Sequence, residues 1–193
     1  MSTIIIIFVL VISFLLLVYI VTTYNRLISE IEAVKNSERQ IDVQLDRRFK
    51  IFESLISTVN KYIDHEQTVL KDVAALRSKV ADAKNSGNKE AQFLFEDTLS
   101  SIAKSFSIQV EAYPDLKANQ NVMQLQEEVK TTENKLAYSK QAYNDSIEKY
   151  NTDKNSFFTS IVVSIFTKLN SKFTYWGVSD EKIETLENYT AKL

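Results

Sequence analysis

The apolar positions of this chain follow three successive patterns. Residues 4–21 read IIIIFVLVISFLLLVYIV, apolar all round and without charge, interrupted only by Ser13 and Tyr19. As a helix this run crosses most of a bilayer's hydrocarbon core, and Ser2, Thr3, Thr22 and Thr23 extend it into the interface; Ile4, Phe8, Leu15 and Val21 mark the expected span. From residue 24 the pattern changes to apolar residues three and four apart: Tyr24, Leu27, Ile31, Val34, Ile41, Leu45, Phe49, Phe52, Leu55, Val59, Ile63, Leu70, Val73, Leu76 and Val80. This stripe predicts one helix over 24–85, ~93 Å long if straight. Ser86-Gly87-Asn88 is the first turn signal, with Gly87 suited to a left-handed cap. A second helix is predicted over 89–110 from Leu94, Phe95, Leu99, Ile102, Phe106 and Val110. Pro114 cannot donate to a helical ladder and biases Tyr113 towards extended geometry. A third helix is predicted over 115–154, with Val122, Val129, Leu136, Tyr143 and Tyr150 strictly seven apart.

Small or polar residues (Ala118, Thr132, Ser139 and Ser146) line the third stripe, and its first turns are rich in amides from Asn119 to Gln126. Buried amides cost free energy unless paired, so this face is either a hydrogen-bonded layer inside the bundle or a face that pairs with another copy. If Pro114 only kinks the return path, the chain is a long hairpin; if it reverses direction, a shorter and thicker bundle forms. In either case antiparallel helices bury a shared seam.

The third pattern begins after Lys154. Phe157, Phe158, Ile161, Val162, Val163, Ile165, Phe166 and Leu169 make a nearly unbroken apolar patch, too short to cross a bilayer. Lys168, Lys172, Phe173, Tyr175 and Trp176 follow, a mixture typical of membrane interfaces. In the hairpin Lys154 returns beside Tyr24. Phe157, Phe158, Ile161, Val162, Ile165, Phe166 and Trp176 are therefore expected on the membrane surface or against neighbouring subunits; a further core helix is the alternative. Gly177 ends the segment. Ser179 is placed as an N-cap, with Asp180 and Glu181 in the first turn, for a short amphipathic helix carrying Ile183, Leu186 and Tyr189. The expected organisation is an anchor over 1–23, a helical bundle over 24–156 and a membrane-proximal segment with a C-terminal helix over 157–193.

A cleaved signal needs a basic leader, a shorter apolar stretch and a small-residue cleavage site. No Lys or Arg precedes Arg26 and the run ends Tyr19-Ile20-Val21-Thr22, so a retained single-pass anchor is favoured. Arg26, Lys35 and Arg39 follow it, which puts the N-terminus outside and the bulk of the chain in the cytoplasm of a cell membrane.

Composition narrows the chemistry. Within 193 residues there is no cysteine, which excludes disulfides and thiolate metal sites, and one histidine, His65, which excludes imidazole-pair zinc sites. Net charge is −2 with both signs intermixed, so no basic block points to nucleic acid. Two glycines and one proline leave little punctuation, consistent with long helices.

His65-Glu66 opens a metalloprotease-like motif, but the second histidine position holds Val69 and the motif fails. Glu38 and Glu66 share the heptad phase of Tyr24, Leu45 and Val59 and read as polar insertions in a coiled seam, which can fix register. Asp42, Asp46, Arg47 and Arg48 form a charged cluster. Asp42 and Asp46, four apart, repel unless a cation lies near. The cluster is either a solvated face or a contact in which Arg47 or Arg48 reaches a carboxylate such as Glu127 or Glu128. No nucleophile–base constellation, phosphate loop or metal-ligand spacing occurs, and no cofactor is expected.

Further stretches carry a family resemblance: Tyr24-Asn25-Arg26-Leu27, IDVQLDRRF from Ile41, Tyr62 with His65-Glu66, AYPDLKANQNVMQLQEE from Ala112, TENKLAY from Thr132, QAYND from Gln141, and Tyr150-Asn151. Over 24–162 the chain resembles the LemA family of membrane-anchored helical proteins. It departs from the family where a usual proline is replaced by Glu53, which favours a continuous first helix, and where F-P reads Phe157-Phe158. The resemblance implies one N-terminal anchor, an N-out topology and an antiparallel helical bundle, and implies no catalytic activity. The expected fold is all-α: a transmembrane helix followed by a long antiparallel bundle or coiled-coil hairpin. The expected function is a non-enzymatic scaffold that self-associates into a homo-oligomer on the membrane, organising or remodelling it. The alternative is an adaptor that binds another membrane protein, such as a protease or sensor, at the amide-rich Asn119–Gln126 face; Arg47, Arg48, Gln120 and Gln124 are expected on a partner or packing face.

Overall fold

A computed structural model describes residues 2–59, 67–88, 91–96, 98–102 and 119–177. Among these, helix α1 runs Ser2–Val59, α2 Gln67–Asn85, α3 Gln120–Asn155 and α4 Phe157–Ile165, followed by a 3-10 turn at Thr167–Leu169. Residues 91–96 and 98–102 are also helical, and no described residue is in a strand. The all-α reading holds. Tyr62, His65, Glu66, Pro114, Ala118, the far end of the predicted second helix and the tail with Ser179, Ile183, Leu186 and Tyr189 lie outside the described residues.

The described residues form two compact units, one from parts of Met1–Glu38 and Ala142–Phe173, the other from parts of Arg39–Gln141 and Thr174–Leu193. In the first, α1 and α3 are antiparallel: Arg26 lies 3.8 Å from Asp153, Glu30 3.9 Å from Lys149, and the hydroxyls of Ser37 and Ser146 are 3.2 Å apart. Leu27, Ile31 and Val34 of α1 and Tyr143, Ile147 and Tyr150 of α3 are buried, as are Val162, Val163 and Leu169. The return of the 150s beside the 20s is thus as expected. Tyr150, fully buried, holds the segment after α4: its hydroxyl donates to the Leu169 carbonyl and accepts from the Ser171 amide at 2.9 Å.

The second unit corrects one expectation. The stripe over 24–85 does not form a single helix. Arg77 on α2 contacts Asp46 at 2.9 Å and Glu53 at 3.3 Å on α1, and Lys84 contacts Asp42. In a continuous helix residues 46 and 77 would be ~46 Å apart at 1.5 Å per residue. The chain therefore reverses between Val59 and Gln67. A second reversal follows at Gly87, whose φ of +70° suits glycine. The Asn88 amide reaches the Ala83 carbonyl and the Gly87 amide the Lys84 carbonyl, closing α2 in a Schellman motif. Asn88 Oδ1 then accepts from the Ala91 amide and caps the next helical stretch. Glu96 pairs with Lys140, and Leu99 shares a core with Val122, so 91–102 and α3 are antiparallel. Described residues 102 and 119 thus end and begin helical stretches of opposite direction; Pro114, between them, lies outside the described residues. The core of this unit joins Phe49, Phe52, Leu55, Ile56 and Val59 of α1, Val73, Leu76 and Val80 of α2, Leu99, and Val122 of α3. Asn119 Oδ1 accepts from the Asn121 and Val122 amides and starts α3 there. Four of the five heptad positions of α3 are buried, and Val129 is partly so.

Candidate functional site

The apolar run sits on α1 with every large side chain from Ile4 to Leu17 exposed; Ile4, Phe8, Leu15 and Val21 are 72, 64, 59 and 48 % accessible. This is the one helix among the described residues long and apolar enough to cross a membrane. Such a surface is stable only when something apolar covers it.

At the end of the run, α4 packs beside it. Ser156 breaks α3 from α4 with an extended backbone and shares a hydrogen bond with Thr159 at 2.8 Å. Thr159, Val162 and Val163 turn inward. Phe157, Phe158, Ile161, Ile165 and Phe166 turn outward and are exposed. Phe158 meets Tyr19 edge-on with centroids 6.5 Å apart, and Phe166 meets Tyr24 at 5.2 Å. Two of the residues expected on the outer patch are not available to a membrane or a neighbour. Val162 is buried on the inner face of α4, three residues from Thr159. Trp176 is buried in the other unit, against Phe93 at 4.7 Å and beneath the Lys140 ammonium.

Each unit also buries charge. In the first, Glu30 faces Asp153, Lys149 and Arg26, and is 6 % exposed. Burial, together with the adjacent Asp153 carboxyl, pushes its pKa up to about 7, against the weaker pull of Lys149 and Arg26. Burial also pushes Tyr143 up to about 12, with Glu38 adding to the effect.

In the second unit, Arg48 is 2 % exposed and binds Glu133 on α3, Nε to Oε1 at 2.6 Å, while its Nη2 donates to Ser100 Oγ at 2.6 Å. Glu96, one turn before Ser100, is equally buried and pairs with Lys140 at 3.0 Å. Burial raises its pKa, partly offset by Lys140 and Arg48. Gln92 donates to Glu96 at 3.5 Å, and its own Oε1, like Thr132 Oγ1, is buried without a hydrogen-bond partner. Arg48 therefore makes an inter-helix contact, but to Glu133 rather than to Glu127 or Glu128. Arg47, Gln120 and Gln124 are exposed. Asp42 and Asp46 are not a freely solvated pair: Lys84 neutralises the first, and Lys50 and Arg77 the second. The hydrogen bond from Lys50 holds Asp46 below the usual carboxylate range. An open groove of about 280 Å³ lies between these pairs and Leu45, Phe49 and Val80.

Among the described residues no group of three His, Cys, Asp or Glu side chains is placed to hold a metal. The buried carboxylates Glu30 and Glu96 each lie near a cation, Lys149 and Lys140, an arrangement that suits packing. The sequence reading had not placed Glu30, Gln92, Glu96, Glu133 or Lys140. A signal for some of them was present: Glu30 falls between Leu27 and Val34 on the apolar stripe, and Gln92 and Glu96 precede Leu99 at helical spacing.

The LemA family model matches residues 37–186. That begins later, and runs further toward the C-terminus, than the stretches that carried the resemblance. A curated relative, Protein LemA of Metamycoplasma hominis, is 25 % identical over 138 residues, covering 72 % of this chain. The match spans 62 % of that relative's length, less than two thirds. The family match covers both the Arg48 network and α4, and the chain belongs to the LemA family.

Proposed function

We propose that this protein is a non-enzymatic, membrane-anchored helical scaffold whose copies associate laterally on a cell membrane. One observation carries the reading: the apolar run, with every large side chain from Ile4 to Leu17 exposed, belongs to the same helix that supplies the buried Leu27, Ile31 and Val34 layer. A helix that is bare in one stretch and packed in the next has two solvents, and lipid supplies the apolar one. Arg26, Lys35 and Arg39 directly after the run set the bulk of the chain on the cytoplasmic side. The buried ion pairs among the described residues fix helix register. Lateral association organises or remodels the bilayer to which it is held. The test is carbonate extraction of native membranes, followed by mass measurement of the nanodisc-reconstituted full chain. Retention in the pellet and a mass several times that of one copy support the reading; a strict monomer at all concentrations removes the oligomer, and release by carbonate removes the anchor.

A second reading, a regulatory adaptor for another membrane protein such as a protease or sensor, draws on the start of α3, where Gln120, Met123 and Gln124 are all exposed. Crosslinking in native membranes separates the two. Heterotypic products lost on replacing Gln120 and Gln124 favour the adaptor, and self-crosslinks alone favour the scaffold.

A further inference from the structure

The outer face of α4 presents Phe157, Phe158, Ile161 and Ile165 to the outside of its unit, all more than half exposed. Nothing polar on this face needs water. The Ser160 hydroxyl donates to the Phe157 carbonyl at 2.8 Å and the Ser164 hydroxyl to the Ile161 carbonyl at 2.7 Å. A serine that satisfies itself on its own backbone can leave water without leaving a donor unpaired. The position of the face is equally specific. Phe158 touches Tyr19, inside the last turn of the apolar run, and Phe166 touches Tyr24, just past its end. The face is thus continuous with the surface of α1 at the level where hydrocarbon gives way to headgroups.

The segment behind it is basic. Lys168 and Lys172 are exposed, and Lys154 lies close enough to Lys172 to be affected by its charge while donating to the Ser171 carbonyl at 3.2 Å. Apolar residues on one side with lysines beside them match a helix lying in the plane of an anionic membrane surface. A second copy of the chain would also cover apolar side chains, but it would not explain the self-satisfied serines, the alignment with the end of the run or the flanking lysines.

We infer that α4 is an interfacial helix, a second membrane contact that lays its phenylalanines and isoleucines into the acyl boundary while Lys168 and Lys172 face anionic headgroups. The inference rests on the anchored reading of α1, and its occupant is lipid rather than protein.

The chain has no cysteine, so single-cysteine variants report one site each. Leu15→Cys, Ile161→Cys, Ile165→Cys and the exposed Asp145→Cys are each labelled with a polarity-sensitive fluorophore. The full chain is reconstituted in phosphatidylcholine/phosphatidylglycerol vesicles, with doxyl lipid as the membrane quencher and iodide as the aqueous one. Labels at Ile161 and Ile165 are expected to emit to the blue of Asp145, to be quenched by doxyl lipid several-fold more than Asp145, and to resist iodide. In vesicles of phosphatidylcholine alone, their doxyl quenching is expected to fall while that of Leu15 does not. Doxyl quenching at Leu15 with iodide access at Ile161 and Ile165 overturns the inference and leaves the anchor standing. Protection of Ile161 and Ile165 from both quenchers means that protein covers them, which also overturns it. Loss of doxyl quenching at Leu15 overturns the anchor and the inference together. Unchanged quenching in phosphatidylcholine alone overturns the assignment of the lysines.

Discussion

Arg48 and Glu30 show how differently two buried charges behave when their partners differ. Arg48 meets a carboxylate and a hydroxyl, each at 2.6 Å, from two other helical stretches. Removing it leaves Glu133 and the deeply buried Glu96 short of a cation. Arg48→Ala should therefore cost about 3–5 kcal/mol, the range for breaking a buried pair from one side, whereas exposed Arg47→Ala should stay within about 0.5 kcal/mol. Urea unfolding of the detergent-solubilised chain, followed by helical circular dichroism, checks both. Glu30 instead meets another carboxyl. Its folded pKa of about 7 lies above its ordinary 4.5, so the folded state holds a proton that the unfolded state releases in between. Its contribution to stability is complete below about pH 4.5 and is lost as pH rises through about 7. Glu30→Gln should flatten the dependence of the melting temperature on pH across that window and raise it most on the alkaline side. A variant that melts as the parent does at every pH would show that burial and Asp153 do not raise the pKa of Glu30. Periodicity held part of this information: Ile41, Leu45, Arg48, Phe52 and Leu55 follow a 4-3-4-3 spacing, so Arg48 occupies a seam position. A contact from Arg47 or Arg48 to a carboxylate is legible as one of two readings of the charged cluster, but Asp42, Asp46 and Arg47 equally suit a solvated face, and a lone sequence does not say that the carboxylate is Glu133 rather than Glu127 or Glu128.

At the scale of elements, what could be read was what leaves a local mark. Gly87 and Asn88 announced the end of α2 and the start of the next helix, and the seven-residue spacing of Val122 to Tyr150 announced the buried seam of α3. The reversal after Val59 left no mark. No glycine or proline lies between 59 and 67, and Val59, Ile63, Leu70 and Val73 keep helical phase straight through it. Periodicity reports which face is apolar and does not report whether the helix carrying that face has turned back on itself. Only the partners of Arg77 and Lys84, far away in sequence, disclose the turn. The two caps make opposite demands. At Gly87 an added Cβ meets no atom within 4 Å, so Gly87→Ala costs only its left-handed backbone, about 1 kcal/mol. At Asn119 the side chain itself does the capping, and Asn119→Ala should lose about 1 kcal/mol through two amides left to water. Asn119→Asp, which keeps the acceptor, should recover most of that loss. Denaturant midpoints of the three variants separate a backbone cost from a capping cost.

For the molecule as a whole, the fold class, the apolar run and the family were all legible because each rests on patterns many residues long, and single misplacements do not erase them. The outward patch was legible only in outline: Val162 and Trp176 share its composition, yet helical phase turns the first inward, and contact with Phe93 and Lys140 buries the second. The same distinction between composition and surroundings gives the most direct test of what covers α1. Leu15 and Val43 are apolar residues of one helix, 59 and 57 % exposed. If water surrounds both, an arginine at either place is tolerated alike. If lipid surrounds Leu15, an arginine there costs about 2.5–3.5 kcal/mol of insertion free energy, and at Val43 close to none. Leu15→Arg should therefore shift the protein from the carbonate-resistant membrane fraction to the supernatant, while Val43→Arg should leave it in the pellet. Helical circular dichroism of both should match the parent, because neither side chain packs on the buried seam. Equal extraction of the two variants would mean that α1 meets one solvent along its length, and the scaffold would then have no membrane to stand on.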